Sequence, residues 1–341
     1  MLEKPARSLA LVILSVIILT FSSPVAAGGK QPRTTKLKVG AVPYLSYGPF
    51  YIAEAEGYFA EEGIEVEFLR LKGSGRMVAL AQGDLDAAET LLRASSLNFM
   101  ARDARVRIVA DKGYLARGGC PSAAIVAGKE RVISGRLEDP SDIKGLLVAM
   151  EETSLEGYYM EKLLGRSGLS LEDIVLVDIP SPASELEALG KGSLDLVTYS
   201  EPWVTRAVES GYGVIWKSAG EIIPDAQYSF VMFGPSLLFE DPGLGKSFMV
   251  AYLKGIRQFN MGKTDRNLEI LEKVTGLDRD LLKKSCWPAM GSNGRINLEA
   301  VLEFQAWAVT RGFMDTPLRG DRIWDSRFVD YGARVLAGWA P

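Results

Sequence analysis

The hydrophobic pattern is most regular just after residue 35. Apolar and polar residues alternate over Lys36–Val42, which is typical of a strand with one buried face. Apolar residues then recur at helical spacing from Phe50 to Tyr58, and Glu65–Leu71 has the pattern of a second strand. The segment therefore predicts a strand, helix, strand unit with a tyrosine-rich loop at its first turn.

Strand-like and helix-like patterns alternate along the rest of the chain, which predicts an α/β architecture. Beyond Asp241 the pattern becomes helical. The predicted strands are Lys36–Val42, Glu65–Leu71, Leu85–Glu89, Arg105–Asp111, Ser122–Ala127, Leu146–Met150, Ile174–Asp178, Leu194–Tyr199, Gly213–Trp216 and Tyr228–Gly234.

The opening run VPYLSYGPFYIAEAEGYFAEEGIEVEF resembles the start of a known family. That family is the periplasmic solute-binding proteins of ABC transporters, in the group that serves alkanesulfonates, taurine, nitrate, riboflavin and the thiamine pyrimidine precursor. The matching positions are Tyr51-Ile52-Ala53, Gly57-Tyr58-Phe59, Gly63-Ile64 and Val66. The resemblance implies a bilobed type II periplasmic-binding-protein fold, with two α/β lobes joined by two crossover hinges.

Later segments extend the resemblance over nearly all of the chain after residue 35. One departure is Glu89-Thr90, where the family often has small residues, so the ligand chemistry is expected to differ. The supporting segments are Ala81-Gln82-Gly83-Asp84-Leu85-Asp86, Gly192-Ser193-Leu194-Asp195, Ser200-Glu201-Pro202, Trp287-Pro288 and Asn293-Gly294-Arg295-Ile296-Asn297.

The first 27 residues have the pattern of a cleavable export signal. Lys4 and Arg7 precede the uncharged apolar run Leu9–Phe21, and Val25-Ala26-Ala27 offers small residues to a signal peptidase. A retained membrane anchor is the alternative, but a bilayer span needs about twenty apolar residues. We therefore expect a protein that begins at Gly28 and resides in the periplasm or another extracytoplasmic space.

Two glycine- and proline-containing stretches are predicted to cross between the lobes, at residues 114–120 and 221–227. Lobe 1 then comprises residues 36–113 and 228–341, and lobe 2 comprises residues 121–220. Ordinary surface loops are the alternative interpretation of both stretches.

Composition removes several classes of function. The chain has no histidine, so a Ser-His-Asp triad, a Cys-His pair and most zinc sites lack a required residue. The formal net charge of −4 gives no basic surface for nucleic acid. We expect no cofactor and no catalytic residue.

Cys120 and Cys286 are the only cysteines. They could pair in an oxidising compartment, but only if their Cα atoms come within about 7 Å, which sequence does not reveal. Two buried free thiols are the simpler expectation.

Candidate ligand contacts follow from the rule that open α/β sheets bind ligands beyond the carboxyl ends of their strands. Thr153 and Ser154 also precede a predicted helix, where they could cap it or meet a polar ligand group. The candidates are Tyr44, Ser46, Tyr47, Ser74, Glu89, Thr90 and Tyr114 in lobe 1 or at its edge, with Glu151, Thr153, Ser154, Ser200, Glu201 and Trp203 in lobe 2.

The aromatic candidates at predicted loop tips suggest a stacking pocket for a flat or apolar ligand, with core packing as the alternative. Carboxylates at the same rim, Glu89, Glu151, Glu152 and Glu201, would repel a sulfonate or nitrate and favour a ligand with N–H donors or positive charge. Each could instead be a solvated acid at a helix start. Glu201 is the preferred ligand contact, because the family places its Glu-Pro pair at the cleft.

The resemblance implies a monomeric binding protein that captures a small organic molecule and delivers it to an ABC permease with a cytosolic ATPase. The candidate contacts favour an aromatic, N-heterocyclic or cationic ligand. Two alternatives stay open. One is an enzyme of the lyase or dehydratase type on the same fold, with Glu89 or Glu201 as its base. The other is a binding protein that presents its ligand to a membrane sensor.

Overall fold

The computed structural model describes, apart from Met1, residues 34–71 and 75–341. The predicted signal peptide and the candidate Ser74 lie outside these residues. All ten predicted strands are present, with ends shifted by a few residues. They are β1 (Thr35–Gly40), β2 (Ile64–Leu69), β3 (Ala87–Leu91), β4 (Arg107–Leu115), β5 (Ala123–Gly128), β6 (Leu147–Ala149), β7 (Val175–Leu176), β8 (Leu196–Ser200), β9 (Gly213–Ser218) and β10 (Ala226–Phe233).

Helices fill most of the remaining chain and, as predicted, all of the regular structure after Asp241. Short 3-10 turns occur at Leu45–Tyr47, Pro140–Ile143 and Leu171–Asp173, and a π-helical turn at Ser236–Glu240. The α-helices are α1 (Gly48–Ala55), α2 (Tyr58–Glu61), α3 (Gly75–Gln82), α4 (Ala94–Arg102), α5 (Lys129–Ile133), α6 (Leu155–Gly165), α7 (Pro182–Gly190), α8 (Trp203–Glu209), α9 (Ala219–Ile222), α10 (Pro242–Phe259), α11 (Asp265–Thr275), α12 (Arg279–Lys284), α13 (Leu298–Thr310), α14 (Gly320–Ile323) and α15 (Arg327–Val335).

The strands form two five-stranded mixed sheets, one in each lobe. The order is β2-β1-β3-β10-β4 in lobe 1 and β7-β6-β8-β5-β9 in lobe 2. In lobe 1, β10 runs antiparallel to β3 and β4, and in lobe 2, β5 runs antiparallel to β8 and β9. The carboxyl ends of β1, β3 and β4 therefore share one edge of the first sheet, and those of β6 and β8 share one edge of the second.

Burial explains why the central strands are short and apolar. All six residues of β5 are buried, as are four of the five residues of β3, because helices cover both faces of each sheet. The polar exceptions in β3 are Glu89 and Thr90, which are buried too. A buried carboxylate in a central strand requires partners of its own.

One hydrophobic cluster spans the two lobes. It joins Met100 of α4, Leu163 of α6 and Phe304 of α13. The Tyr158 and Phe304 ring centroids are 5.9 Å apart, and the Trp307 indole N–H donates to Glu161 at 2.9 Å. Helix α13 thus packs against both lobes, with α4 of lobe 1 and α6 of lobe 2 among its neighbours.

The chain passes between the sheets twice. It leaves β4 after Leu115 and joins β5 at Ala123, and it returns from β9 through α9 to β10, which starts at Ala226. Leu115 and Ala226 still pair with each other in the lobe 1 sheet. The predicted crossings, 114–120 and 221–227, overlap these connections, and their action as hinges stays a prediction.

The two cysteines form a disulfide, so the expectation of free thiols is wrong. Cys120 lies on the first crossing and Cys286 follows α12, 166 residues later, and their Cα atoms are 5.4 Å apart. Sequence could not supply that proximity, since it depends on how the C-terminal helices fold back over the crossing.

Within the described residues, we find no helix that combines the length and the apolar character needed to span a bilayer.

Candidate ligand site between the lobes

The two lobes meet along a short main-chain ladder. The Ala94 N–H donates to the Thr153 carbonyl at 2.9 Å, and the Leu155 N–H donates to the Leu92 carbonyl at 3.0 Å. Arg93 and Ser154 thereby face each other as an antiparallel bridge. The carboxyl end of β3 is thus joined to the start of α6 in the other lobe.

Ser154 caps α6 as predicted, because its hydroxyl accepts the Glu156 N–H at 3.0 Å and donates to the Glu151 carbonyl at 2.8 Å. Thr153 contributes its carbonyl to the ladder. Thr90 is buried beside this junction, with its hydroxyl 2.6 Å from that of Ser96. The hydroxyls of Ser154 and Thr90 are therefore engaged inside the protein.

Glu89 lies at the centre of a buried charge cluster in lobe 1. Its carboxylate is 2.7 Å from the Arg76 guanidinium and 3.4 Å from the Lys112 ammonium. Glu89 and Lys112 are only 5% and 1% exposed. Burial alone would raise the pKa of Glu89, but Lys112 and Arg76 outweigh that effect and hold the pKa below its ordinary value.

Two of the predicted lobe 1 contacts complete this charge cluster. The Tyr47 hydroxyl accepts from Arg76 at 2.6 Å, and the Lys112 ammonium lies 3.9 Å from the centre of the Tyr47 ring. Lys112 also donates to the Ser46 hydroxyl at 2.9 Å. Tyr47 is fully buried, whereas Tyr44 is half exposed at the loop surface. Of the predicted aromatic contacts in this loop, only Tyr44 is open to solvent.

Lobe 2 has a cavity of about 560 Å³ at the carboxyl edge of its sheet. It contains the predicted contacts Glu151, Ser200 and Trp203, and none of the described residues that line it is basic. The full lining is Met150, Glu151, Glu152, Glu156, Leu176, Val177, Asp178, Ile179, Pro182, Glu185, Thr198, Tyr199, Ser200 and Trp203.

Two carboxyl groups in this cavity have raised pKa values. Burial raises the pKa of Glu156, although its carboxylate accepts the Glu151 N–H at 3.0 Å and the Thr198 hydroxyl at 2.7 Å. Burial, reinforced by the negative charge of Glu156, raises the pKa of Glu185 to about 7. Neither forms an ion pair within the part of the chain that the structure describes. One carboxylate oxygen of Glu156 accepts both of these hydrogen bonds, so its other oxygen accepts none from the described residues.

Aromatic side chains line the same cavity. The Trp203 ring is 6.2 Å from that of Tyr199 and has the Arg206 guanidinium 4.7 Å from its centre. Tyr228 of lobe 1 lies near enough for the charges of Glu156, Arg93 and Glu89 to act on its hydroxyl, although burial is the main reason that its pKa is raised.

Glu201, the preferred sequence candidate, is occupied by internal hydrogen bonds. One carboxylate oxygen accepts from the Thr205 hydroxyl and the Cys286 N–H, both at 2.8 Å, and the other accepts the Thr205 N–H at 3.1 Å. Its position fixes α8 and the segment after α12. Tyr114 has a comparable place on the other lobe, where its N–H donates to the Ala289 carbonyl at 3.0 Å.

A second, smaller cavity of about 280 Å³ lies in lobe 1 between α3 and α4. Its wall includes Arg76, Arg93, Thr90, Ser95 and Ser96. Arg93 also reaches across the lobe boundary, where one guanidinium nitrogen is 2.8 Å and 3.0 Å from the two carboxylate oxygens of Glu151. This ion pair joins a residue of the smaller cavity, Arg93, to a residue of the larger one, Glu151.

Sequence reasoning did not select Arg76, Glu156, Glu185 or Tyr228. Glu156 and Glu185 stand in the first turns of α6 and α7, where an acid is normally explained by the helix dipole. The signal that the sequence offered was the position of these two acids shortly after the capping residues Ser154 and Ser181. No group of three or more acidic or cysteine side chains in the described residues is placed to hold a metal ion.

The two mixed sheets, their order and the double crossing define the type II periplasmic-binding-protein fold. Solved structures agree. The ligand-binding component of an ABC-type import system from Staphylococcus aureus, with zinc bound, has a TM-score of 0.73 and 16% identity, covering 88% of this chain and 99% of that one. The periplasmic nitrate-binding protein NrtA from Synechocystis PCC 6803 has a TM-score of 0.71 and 14% identity, covering 90% of each chain.

An enzyme shares the architecture. The desulfurization enzyme DSZB has a TM-score of 0.66 and 15% identity, covering 88% of this chain and 99% of that one.

The NMT1-like family matches residues 30–242, so the chain belongs to the NMT1-like family. Among curated proteins none matches the sequence. Identities of this size establish the fold and leave the ligand to the chemistry of the site.

Proposed function

We propose that this protein is the solute-binding component of an ABC importer, and that it captures a small organic ligand between its lobes. The fold and the family support this proposal, as do two structural neighbours, one a component of an ABC import system and the other a periplasmic nitrate-binding protein. Export through the leader at residues 1–27, action as a monomer and delivery to a permease with a cytosolic ATPase belong to the proposal.

The carrying observation is the lobe 2 cavity, which is lined by the Trp203 indole and by several carboxyl groups, of which Glu156, Asp178 and Glu185 lack ion-pair partners among the described residues. Glu156, Asp178 and Glu185 together would repel a sulfonate or nitrate. A flat or partly apolar molecule that bears N–H donors or a positive charge suits this lining, because it can stack on Trp203 and donate hydrogen bonds to the acids. Such a molecule is the proposed ligand class.

Ligand capture would proceed by closure of the lobes. A ligand that contacts Trp203 in lobe 2 and Tyr228 or Tyr44 in lobe 1 binds the closed form better than the open form, so it shifts the population toward closure. The connections after Leu115 and before Ala226 would bend. No covalent step is required.

A thermal-shift panel tests the function. The purified protein is screened against amines, amidines, N-heterocycles, flavins, sulfonates and nitrate. A true ligand at 100 times its dissociation constant should stabilise the fold by about 2.7 kcal/mol. Stabilisation by nitrate or sulfonates alone would overturn the proposed ligand class.

Trp203→Ala should weaken binding of the best compound by about 1–3 kcal/mol, by analogy with aromatic stacking on a base. Trp203→Phe keeps a ring at the same place and should retain most of the affinity. Calorimetry measures both, with thermal melting as a check that the fold is intact. Equal affinity of the alanine and phenylalanine variants would remove Trp203 from the site.

Binding of a cationic ligand should weaken as the pH falls. The pKa of Glu185 is about 7, so Glu185 gains a proton below pH 7 and the cavity loses a negative charge. If ligand binding holds Glu185 ionised, the dissociation constant should rise by about tenfold from pH 8 to pH 6. Calorimetry at three pH values tests this, and Glu185→Gln should flatten the dependence. A wild-type affinity that is constant over this range would contradict the proposed contact.

The enzyme alternative has support from the fold of DSZB, but the residues chosen for it are poorly suited. Glu89 is buried under Arg76 and Lys112, and both carboxylate oxygens of Glu201 accept internal hydrogen bonds. Prolonged incubation of the bound compound with wild type should therefore return it unchanged. The sensor alternative differs from transport only in the partner, and a neighbouring sensor gene in place of permease and ATPase genes would favour it.

A further inference from the structure

The ion pair of Arg93 and Glu151 differs from the other charge contacts in where it stands. Arg93 follows β3 of lobe 1 and Glu151 follows β6 of lobe 2. The guanidinium nitrogen is 2.8 Å and 3.0 Å from the two carboxylate oxygens, and each side chain remains about one-third exposed. Lobe 1 thus places a cation on the acidic rim of lobe 2.

The main chain fixes this contact. Arg93 has the extended conformation that precedes α4 and lies between the two hydrogen bonds of the interlobe ladder. A pair held in this way loses less side-chain entropy than a mobile surface pair. The ladder therefore keeps the guanidinium within reach of this carboxylate.

Arg93 is also a cation that lobe 1 places against the ligand cavity of lobe 2. Glu151 is part of the wall of the 560 Å³ cavity, and Arg93 is part of the wall of the 280 Å³ cavity. The positive charge of Arg93 acts on Glu89, Glu156 and Tyr228, which lie on both sides of the boundary. A cationic group that binds Glu151 in the larger cavity must therefore compete with this charge.

We propose that Arg93 determines ligand selectivity by acting as an internal competitor, a guanidinium that occupies Glu151 until a cationic nitrogen of the ligand replaces it. The proposal rests on the proposed function, because it concerns the same cavity. Neutral molecules cannot displace the guanidinium from the carboxylate, so they gain nothing from Glu151. A cationic ligand must bind the cavity more strongly than Arg93 binds Glu151. Its contacts with the Trp203 indole and with the other acids of the cavity provide the difference.

Chemical rescue tests the exchange without knowledge of the natural ligand. n-Propylguanidine reproduces the end of an arginine side chain and is titrated into wild type, Arg93→Ala and Arg93→Ala with Glu151→Gln. If the internal pair is formed about nine-tenths of the time, wild type should bind the probe about tenfold more weakly than Arg93→Ala. The double variant should lose the gain.

Arg105→Ala is the matched control, since Arg105 pairs with Asp103 at 2.7 Å within lobe 1 and away from the cavity. It should bind the probe as wild type does. Arg93→Gln serves if the alanine variant does not fold, and Arg93→Lys should restore the weak binding of wild type. Equal probe affinity in wild type, Arg93→Ala and the double variant would overturn the proposal.

The outcomes also separate this inference from the proposed function. Tighter probe binding by Arg93→Ala, abolished by Glu151→Gln, supports the competitor role even if no compound of the thermal-shift panel binds. A panel ligand that binds wild type and Arg93→Ala equally well supports the binding function and removes Arg93 as the determinant of selectivity.

Discussion

Replacing both Cys120 and Cys286 by alanine should lower the free energy of unfolding by about 2–5 kcal/mol. The bond closes a loop of 166 residues in sequence separation, and a cross-link over so long a loop removes much conformational entropy from the unfolded chain. Urea denaturation of the oxidised wild type and the double variant measures the difference.

Reduced wild type is the control for this prediction. It should unfold at nearly the same urea concentration as the alanine variant, since both lack only the cross-link. A difference in the free energy of unfolding below about 1 kcal/mol would mean that the disulfide contributes little to stability. Because disulfides persist in oxidising compartments, a large effect would also agree with the proposed export.

Glu89→Gln should cost about 3–5 kcal/mol, which is the usual effect of removing one partner from a buried ion pair. The change leaves the Lys112 ammonium, which is 1% exposed, without its carboxylate, and it removes the partner of Arg76. The pKa of folded Glu89 lies below its ordinary value. Its stabilising contribution is therefore present at neutral pH and lost as the pH falls through the folded-state value.

Glu67→Gln is a matched control, because the pair of Glu67 with Lys36 is exposed and its loss should leave the stability nearly unchanged. Glu89→Leu combined with Lys112→Met should cost less than the sum of the two single changes, since no unpaired ammonium remains. Additive losses in that cycle would show that Glu89 and Lys112 do not interact in the folded protein.

The strands could be predicted from local patterns, whereas the bilobed fold was implied by the family resemblance. Apolar runs, which alternate with polar residues in the first strand, located all ten strands. These signals are local because a strand or a turn depends on the residues within it. The ends were less certain, and β4 extends to Leu115, beyond the predicted Asp111, because β10 supplies a partner for the additional residues.

The site was harder to predict because its partners are distant in sequence. The sequence around Glu201 does not reveal that its carboxylate accepts the Cys286 N–H, which is 85 residues away. Glu89 appeared to be a ligand contact because nothing in its neighbourhood reveals Arg76 and Lys112 as its partners. Glu151 and Trp203 do lie in the cavity. Glu156 and Glu185 have raised pKa values because the folded chain buries them, and local sequence does not reveal that burial.

The segment between α12 and α13 connects to both lobes. Glu201 of lobe 2 accepts the Cys286 N–H, and Asp111 of lobe 1 accepts the Gly291 N–H at 2.7 Å. Asp111 is fully buried, and burial raises its pKa to about 6 despite its hydrogen bonds. This segment runs beside the end of β4, where Ala289 pairs with Tyr114.

This segment is a third connection beside the first crossing, and we expect it to restrict the relative motion of the lobes. Two crossings alone would permit twisting as well as bending, whereas the added segment and its disulfide should oppose twisting. An open form with few orientations loses little rotational entropy when it closes. Even a small ligand, which offers few contacts, can then bind tightly. The entropy of ordering the two lobes is lost when the chain folds and not when the ligand binds.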